Sequence, residues 1–352
     1  MINSAASLQR LLPQLEAADW IAMDTEADSL HCYPERLCLV QISFAGAAEL
    51  IDPLAGFDLA PLWHVLASHE IVMHGADYDL RLLHRCCGFV PRAIFDTMLA
   101  ERFLGGVHFG LTDLAAKYLN VSLEKGPQKA NWARRPLTER MAAYARNDTR
   151  YLHPLACHLR ERLEGEKRLS WHGEACAQLI VSCTAEHESN HDQDWRIKGS
   201  DRLTPRGLSV LRELWQWREI EALAVHKPPY FILSHEVLTH IAAEAVTNHV
   251  EALIPAHVTA RRRNGLLEAV SRGLDTPETA LPDVHKHTQK RLSDSAHHRL
   301  EQLKNRRDRH AAELGLDPSF IASRATLIGL ADNWPVHSRE LMNWQLKLLE
   351  AG

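Results

Sequence analysis

Three short segments hold side chains able to do chemistry together. Asp24-Thr25-Glu26 sets a carboxylate on either side of a threonine. In an extended strand alternate residues share a face, so Asp24 and Glu26 point one way and Thr25 the other. Two neighbouring acids repel unless a cation lies between them, and a divalent ion answers that repulsion. Asp-x-Glu also arises by accident in long chains, so this pair alone leaves both readings open. His74-Gly75-Ala76-Asp77-Tyr78-Asp79-Leu80 is a second acidic segment, at a strand-to-helix corner of the kind where α/β proteins build sites. Asp77 suits a helix N-cap, whereas capping does not account for Asp79. Tyr144-Ala145-Arg146-Asn147-Asp148 lies in a helical stretch, where residues four apart stack a phenol and a carboxylate on one face. Taken singly, that pair reads more simply as a core-edge tyrosine beside a solvated aspartate.

The elements that must position these groups follow from hydrophobic patterning. Residues 20–23 read as a short strand, 37–44 as a second and 49–51 as a third, closed by the turn signal Asp52-Pro53. Their short connections predict antiparallel neighbours. Residues 62–67 read as helix, 71–74 as a buried strand and 80–85 as the start of a run of helices, with 95–183 almost wholly helical. The polar stretch 185–194 lacks apolar periodicity and is a linker candidate. Beyond it no strand pattern occurs, but a repeat does. Phe231-Ile232-Leu233-Ser234 returns 89 residues later as Phe320-Ile321-Ala322-Ser323. Arg218 and Arg307, Ala222 and Ala311, Pro229 and Pro318, Leu238 and Leu327, and Ala242 and Ala331 match in the same register, which predicts two copies of one helical module. Each copy is expected to run as a long helix to the proline, with Ser234 or Ser323 capping the next helix. Thr204-Pro205 opens the first copy, and Leu208, Leu211 and Trp215 share a face.

Together the three acidic segments resemble the exonuclease motifs of the DEDD superfamily, with Asp24, Glu26, Asp79 and Asp148 as the acids and Tyr144 marking the DEDDy branch. Tyr33-Pro34-Glu35-Arg36-Leu37-Cys38-Leu39-Val40-Gln41-Ile42, Leu50-Ile51-Asp52-Pro53, Phe95-Asp96-Thr97 and the segment Trp132 to Arg140 narrow the resemblance to the ribonuclease D family. The repeated modules resemble the HRDC domain, of which that family typically carries two. The resemblance implies an α/β exonuclease domain with an RNase H-like mixed sheet and helices, followed by two all-α HRDC domains. The boundaries expected are 1–190, 195–283 and 284–352. It implies a 3′→5′ exoribonuclease that trims RNA 3′ ends, tRNA precursors among them, and releases 5′-mononucleotides. Two divalent ions, Mg²⁺ or Mn²⁺, would generate the nucleophile and stabilise the leaving oxygen. Asp24 would bridge both ions, Glu26 and Asp148 would complete one site, Asp79 would serve the other, and Tyr144 would orient the attacking water. Asp77 and Asp96 are expected as helix caps. Candidate substrate contacts are His31, Tyr33, Lys125, Gln128, Lys129, Trp132, Arg134 and Arg135; for the later ones a solvated loop with one buried tryptophan is an equal reading. The rival functions are a DNA 3′→5′ exonuclease with the same metal site and a non-catalytic RNA-binding adaptor.

Composition sets the outer limits. The 352 residues include 45% apolar and 24% charged side chains, a globular profile. With 40 Lys+Arg against 45 Asp+Glu the formal charge is −5, which excludes a cationic nucleic-acid coat. The acidic excess falls in the first 194 residues, and the remainder is mildly basic, so that half is expected to position RNA rather than anchor it. Arg261-Arg262-Arg263 and the cluster Lys304 to Arg309 read as solvated basic faces. Trp215, Trp217 and Trp334 read as core. The histidines of 284–287 and His297-His298 lack a convincing ligand set. Seven cysteines without a Cys-x-x-Cys pair argue against a disulfide framework or zinc ribbon and for buried free thiols. With no apolar run long enough for a membrane span and no leader pattern, the expectation is a soluble cytoplasmic monomer.

Overall fold

The computed structural model describes residues 1–124, 126–185, 193–247, 250–284 and 292–350. Lys125, most of the expected linker, and His285 and His287 lie outside the described residues. The chain forms two compact units. The first comprises residues 1–27, 37–185 and 290–352, and the second 28–36 and 186–289.

The first unit is built on a five-stranded sheet ordered β3-β2-β1-β4-β5: β1 (Ile21–Ala27), β2 (Leu37–Phe44), β3 (Ala47–Ile51), β4 (Glu70–Met73) and β5 (Ala93–Asp96). The short connections give antiparallel β1–β2 and β2–β3 pairs, whereas β1–β4 and β4–β5 are parallel. The strand expected to stop at Met23 runs on to Ala27, because Asp24, Thr25 and Glu26 pair with Gln41, Val40 and Leu39. Period-two alternation sorts β1 into two cores. Ile21 and Met23 pack with α1 (Ala5–Glu16), α2 (Ala60–Leu66), α3 (Asp77–Cys87) and the end of α8 (Leu169–Thr184). Ala22 packs on the other face with α4 (Thr97–Phe103), α5 (Leu111–Leu119) and α7 (Leu152–Gly165). Between α5 and α6 (Glu139–Arg150) the expected run of helix gives way to an irregular segment from Asn120 to Thr138.

The first unit also contains the second copy of the repeat, α13 (Asp294–Leu314), α14 (Pro318–Ile321), α15 (Arg324–Asp332), α16 (Trp334–His337) and α17 (Asn343–Leu349). Phe320 and Trp344 of this copy pack edge-on against Phe103, with centroids 4.7 and 5.3 Å away. Arg168 donates to the Phe103 and Leu314 carbonyls at 2.6 and 2.8 Å, and Glu174 accepts from the Asn343 amide at 2.7 Å.

The second unit holds the first copy, α9 (Pro205–Val225), α10 (Pro229–Ile232), α11 (His235–Glu244) and the longer closing helix α12 (Ala260–Leu274). Helices α9, α10 and α11 begin 89 residues before α13, α14 and α15. Thr204 and Ser293 cap the long helices, and Ser234 and Ser323 cap the third ones. The long helices stop short of the prolines, at His226 and Gly315, each in the left-handed conformation (φ 50° and 65°) that turns the backbone out of helix. Residues 28–36 join this unit. Tyr33 Oη donates to Glu219 Oε2 at 2.6 Å, Tyr230 Oη to the Leu30 carbonyl at 3.1 Å and Lys227 Nζ to the His31 carbonyl at 3.4 Å. Arg261 and Arg262, expected to be solvated, both pair with Glu221. The cysteines are free, but only Cys38, Cys176 and Cys183 are buried; Cys86, Cys87 and Cys157 are exposed.

Candidate metal centre and active site

The even-numbered face of β1 that buries Ala22 carries Asp24 and Glu26 on toward α6. That helix starts at Thr138, whose side chain accepts from the Met141 amide at 3.2 Å, and packs Met141 and Ala145 against Leu39, Leu50 and Trp132. Ser43 and Thr149 share a 2.7 Å hydrogen bond that pins its last turn to β2. Asp148 thereby meets the β1 acids: ligand oxygens of Asp24, Glu26 and Asp148 lie within 4.8 Å of one another. Among the described residues none of the three forms an ion pair with Lys or Arg.

Asp79 reaches the centre from the opposite side, in the first turn of α3. Thr25, on the odd-numbered face of β1, donates Oγ1 to Asp79 Oδ1 at 2.5 Å. Asp79 stands outside the close trio, although its charge is felt by Asp24 and Glu26. Asp77 is not the expected cap of α3: it is exposed and pairs with Arg81 at 3.1 Å. The corner is held instead by Asp96, at the end of β5. Its buried carboxylate accepts from the amides of Gly75, Ala76, Met98 and Leu99 at 2.8–3.1 Å, so it caps α4 as expected and also fixes the entry to α3.

The four acids sit uncompensated. Burial, then the charges of Asp79, Asp148 and Glu26, hold the Asp24 carboxyl far above the carboxylate range. Burial and the charges of Asp148 and Asp79 push Glu26 up to about 9. Burial lifts Asp148 to about 7 and Asp79 to about 6, against the lowering effect of hydrogen bonds from Tyr144 and Thr25 respectively. An all-oxygen donor set whose members resist joint ionisation is what a hard divalent cation relieves, so the residues fit such an ion. Burial and the Asp148 charge also raise Tyr144, leaving a neutral phenol beside Asp148 and Gln128.

Asp24, His74, Tyr144, Asn147 and Asp148 open onto a cavity of about 920 Å³, walled on the far side by 110–113 and the irregular segment around Gly126 to Ala130. Gly126 lies flat on the tyrosine ring: a Cβ there would come 1.6 Å from Tyr144 Cδ2. Nothing in the sequence signals this contact, nor the place of His74, which lines the cavity with Nδ1 2.8 Å from Thr97 Oγ1 and is kept neutral by burial.

The expected substrate residues divide. Gln128 and Lys129 line the cavity, and Arg134 is exposed. Trp132 is wholly buried with Leu39 and Leu50, its ring 6.1 Å from that of Tyr144, so it cannot stack on a base. Arg135 is likewise unavailable to a phosphate. It grips both oxygens of buried Asp52 at 2.6 Å and donates to the carbonyls of Cys38, Trp132 and Arg134. His31 and Tyr33 belong to the second unit, and the Tyr33 hydroxyl is committed to Glu219, which with burial raises it to about 12. Lys125 is outside the described residues.

Comparison with known proteins agrees with this geometry. The sequence model of the 3′–5′ exonuclease family matches residues 1–164, and that of the HRDC domain matches 207–253. Ribonuclease D of Xanthomonas oryzae pv. oryzae is 31% identical over 94% of this chain and 91% of its own length. Ribonuclease D of Desulfotalea psychrophila is 28% identical over 99% and 96%. In fold, the chain is similar to Escherichia coli RNase D, described as an exoribonuclease involved in structured RNA processing. The TM-score is 0.77 at 24% identity, over 100% of this chain and 92% of that one. Motif order, the acidic centre and these relatives agree: the chain belongs to the ribonuclease D family of 3′–5′ exoribonucleases.

Proposed function

We propose that this chain trims 3′ extensions of RNA, tRNA precursors among them, and releases nucleoside 5′-monophosphates. The observation that carries the reading is the convergence of Asp24, Glu26 and Asp148 within 4.8 Å, with Asp24 and Asp148 at the wall of a cavity of about 920 Å³. Asp24, Glu26 and Asp148, with Asp79 for a second ion, would hold two Mg²⁺ or Mn²⁺ ions, which when bound supply a nucleophilic water and stabilise charge on the phosphoryl oxygens. The chain's own groups do the rest. Tyr144 keeps its proton, so its Oη orients the attacking water by hydrogen bonding rather than abstracting a proton from it. Thr25 holds Asp79, and Asp96 holds the α3 corner that presents it. Gln128, Lys129 and Arg134, with Lys125, would bind the strand near the 3′ end.

The second repeat, 284–352, is proposed as a further HRDC domain after 1–190 and 195–283, in a cytoplasmic monomer. No helix among the described residues is long and apolar enough to cross a membrane. Asp24→Ala is expected to abolish hydrolysis of 3′-extended RNA in Mg²⁺ or Mn²⁺; surviving activity refutes the metal assignment. On matched RNA and DNA oligonucleotides RNA is expected to be cut faster, and a marked DNA preference refutes the substrate class. Sequencing RNA 3′ ends in a deletion strain should reveal extended tRNA precursors.

A further inference from the structure

The two helical modules share a scaffold but not a surface. In the first, Val210, Leu214 and Trp217 of α9 and Ile241 of α11 form an apolar face that α12, 15 residues long, covers closely. A Cβ on Gly273 would sit 2.5 Å from Val210 Cα, and one on Gly265 would sit 2.9 Å from Trp217 Nε1. Eighty-nine residues on, the second module has Arg299, Leu303, Arg306 and Leu330 at the corresponding places. Two apolar side chains are thus replaced by guanidiniums, and the closing helix α17 has 7 residues. A groove of about 330 Å³ remains, with Leu303, Leu330 and Leu349 as apolar lining and Arg299, Arg306 and Trp334 as the groups that could hold a ligand.

Those groups are only partly used. Arg299 gives Nε to the Ala331 carbonyl at 2.8 Å, and Arg306 gives Nη1 to the Leu349 carbonyl. Neither forms an ion pair among the described residues, so each guanidinium keeps N–H donors. Trp334 packs against the core of its unit, as expected, but is only half-buried and is stacked on no other ring among the described residues. Gln302 Nε2 lies 3.0 Å from His298 Nε2, and Glu350 is the one acid lining the groove, against two permanent cations. Two guanidiniums beside a half-buried tryptophan and an apolar lining match a phosphate joined to a flat base.

We infer that this groove binds a nucleotide unit, its phosphate held by Arg299 and Arg306 and its base against Trp334. The unit is either part of an RNA strand or a free 5′-mononucleotide. The strand source rests on the RNA reading above, whereas the recognition chemistry does not. The test uses the full-length protein in EDTA, so that RNA is bound without being cut, with a fluorescent single-stranded 12-mer RNA and, separately, AMP. Arg299→Gln/Arg306→Gln should weaken RNA binding ~10-fold and flatten the slope of log K against log salt by ~0.7 for each lost phosphate contact. Trp334→Ala should weaken it at least ~5-fold with the slope unchanged. Melting curves check that each variant folds, and Arg306→Lys, which keeps the charge, should retain most of the salt slope. AMP competition in the wild type that is lost in the variants assigns the groove to free nucleotide as well; no competition assigns it to the strand. Folded variants with wild-type RNA affinity, salt slope and AMP binding overturn the inference, as does a wild-type protein that binds neither probe. Hydrolysis of the same RNA in Mg²⁺, measured in parallel, reports on the catalytic reading separately.

Discussion

Replacing Asp148 by asparagine should stabilise the metal-free protein while destroying its activity. The sign follows from the raised carboxyl. In the unfolded chain Asp148 titrates near its ordinary value of 3.8, and in the fold near 7. A group whose folded value is raised contributes full stability only below the unfolded value, and that stability is lost as pH rises through the folded one. The asparagine side chain never ionises. The two proteins should therefore be almost equally stable below about pH 4, and the variant should pull ahead as pH rises. The gap between 3.8 and about 7, at ~1.36 kcal/mol for each pH unit, sets a ceiling of ~4 kcal/mol above about pH 7.5. Solvent in the adjoining cavity lowers the realised figure to ~1–3 kcal/mol, or several degrees in Tm for a unit of this size. Scanning calorimetry in EDTA from about pH 4 to about pH 8.5 measures the gap directly. Added Mg²⁺ at the alkaline end should raise the wild-type Tm more than the variant's. A gap that stays constant with pH, or a variant less stable at the alkaline end, refutes the account of the site as an uncompensated acidic cluster.

Three further outcomes follow from single contacts. Gly126→Ala puts a methyl group into the Tyr144 ring, so kcat on RNA should fall ~100-fold, the scale of an ångström-sized misplacement, with little change in Tm. Thr25→Val removes the donor to Asp79 at nearly constant shape; calorimetric titration should show weaker Mg²⁺ binding, and the variant should lose ~1–3 kcal/mol. Asp96→Ala strips the acceptor from four amides at two helix starts, and urea unfolding should show a loss of at least ~2 kcal/mol.

The acids of the candidate metal centre were legible because strand alternation and helical stacking are local rules: Asp24 and Glu26 share a face by period two, and Tyr144 and Asp148 by their spacing of four. The sheet's antiparallel half was legible for the same reason, from turn signals and short connections. What stayed hidden depends on partners distant in sequence. Arg135 looks like a phosphate ligand until Asp52, 83 residues earlier, takes its fork. Trp132 looks like a stacking platform until Leu39 and Leu50 close over it. Asp77 has the chemistry of a cap, but α3 begins at Asp77 itself, with Ala76 in the cap position, and the Asp77 carboxylate turns to Arg81. The repeat was visible as matched residues; that its two copies present different surfaces required seeing which helix covers each.

The chain leaves the sheet-bearing unit after residue 185, builds the second unit, and returns at 290 to add the module whose Phe320 and Trp344 enclose Phe103. During synthesis, therefore, the part that begins first is completed last. The sheet and its acids emerge early, yet Phe103 and the carbonyl partner of Arg168 at Leu314 wait on the module that begins at Asp294. The intervening unit has all its later helices in hand well before then and can fold as a body of its own. A nascent exonuclease unit would thus carry an exposed aromatic face from the time Ala185 is made until Phe320 and Trp344 follow, the interval in which a chaperone has most to protect.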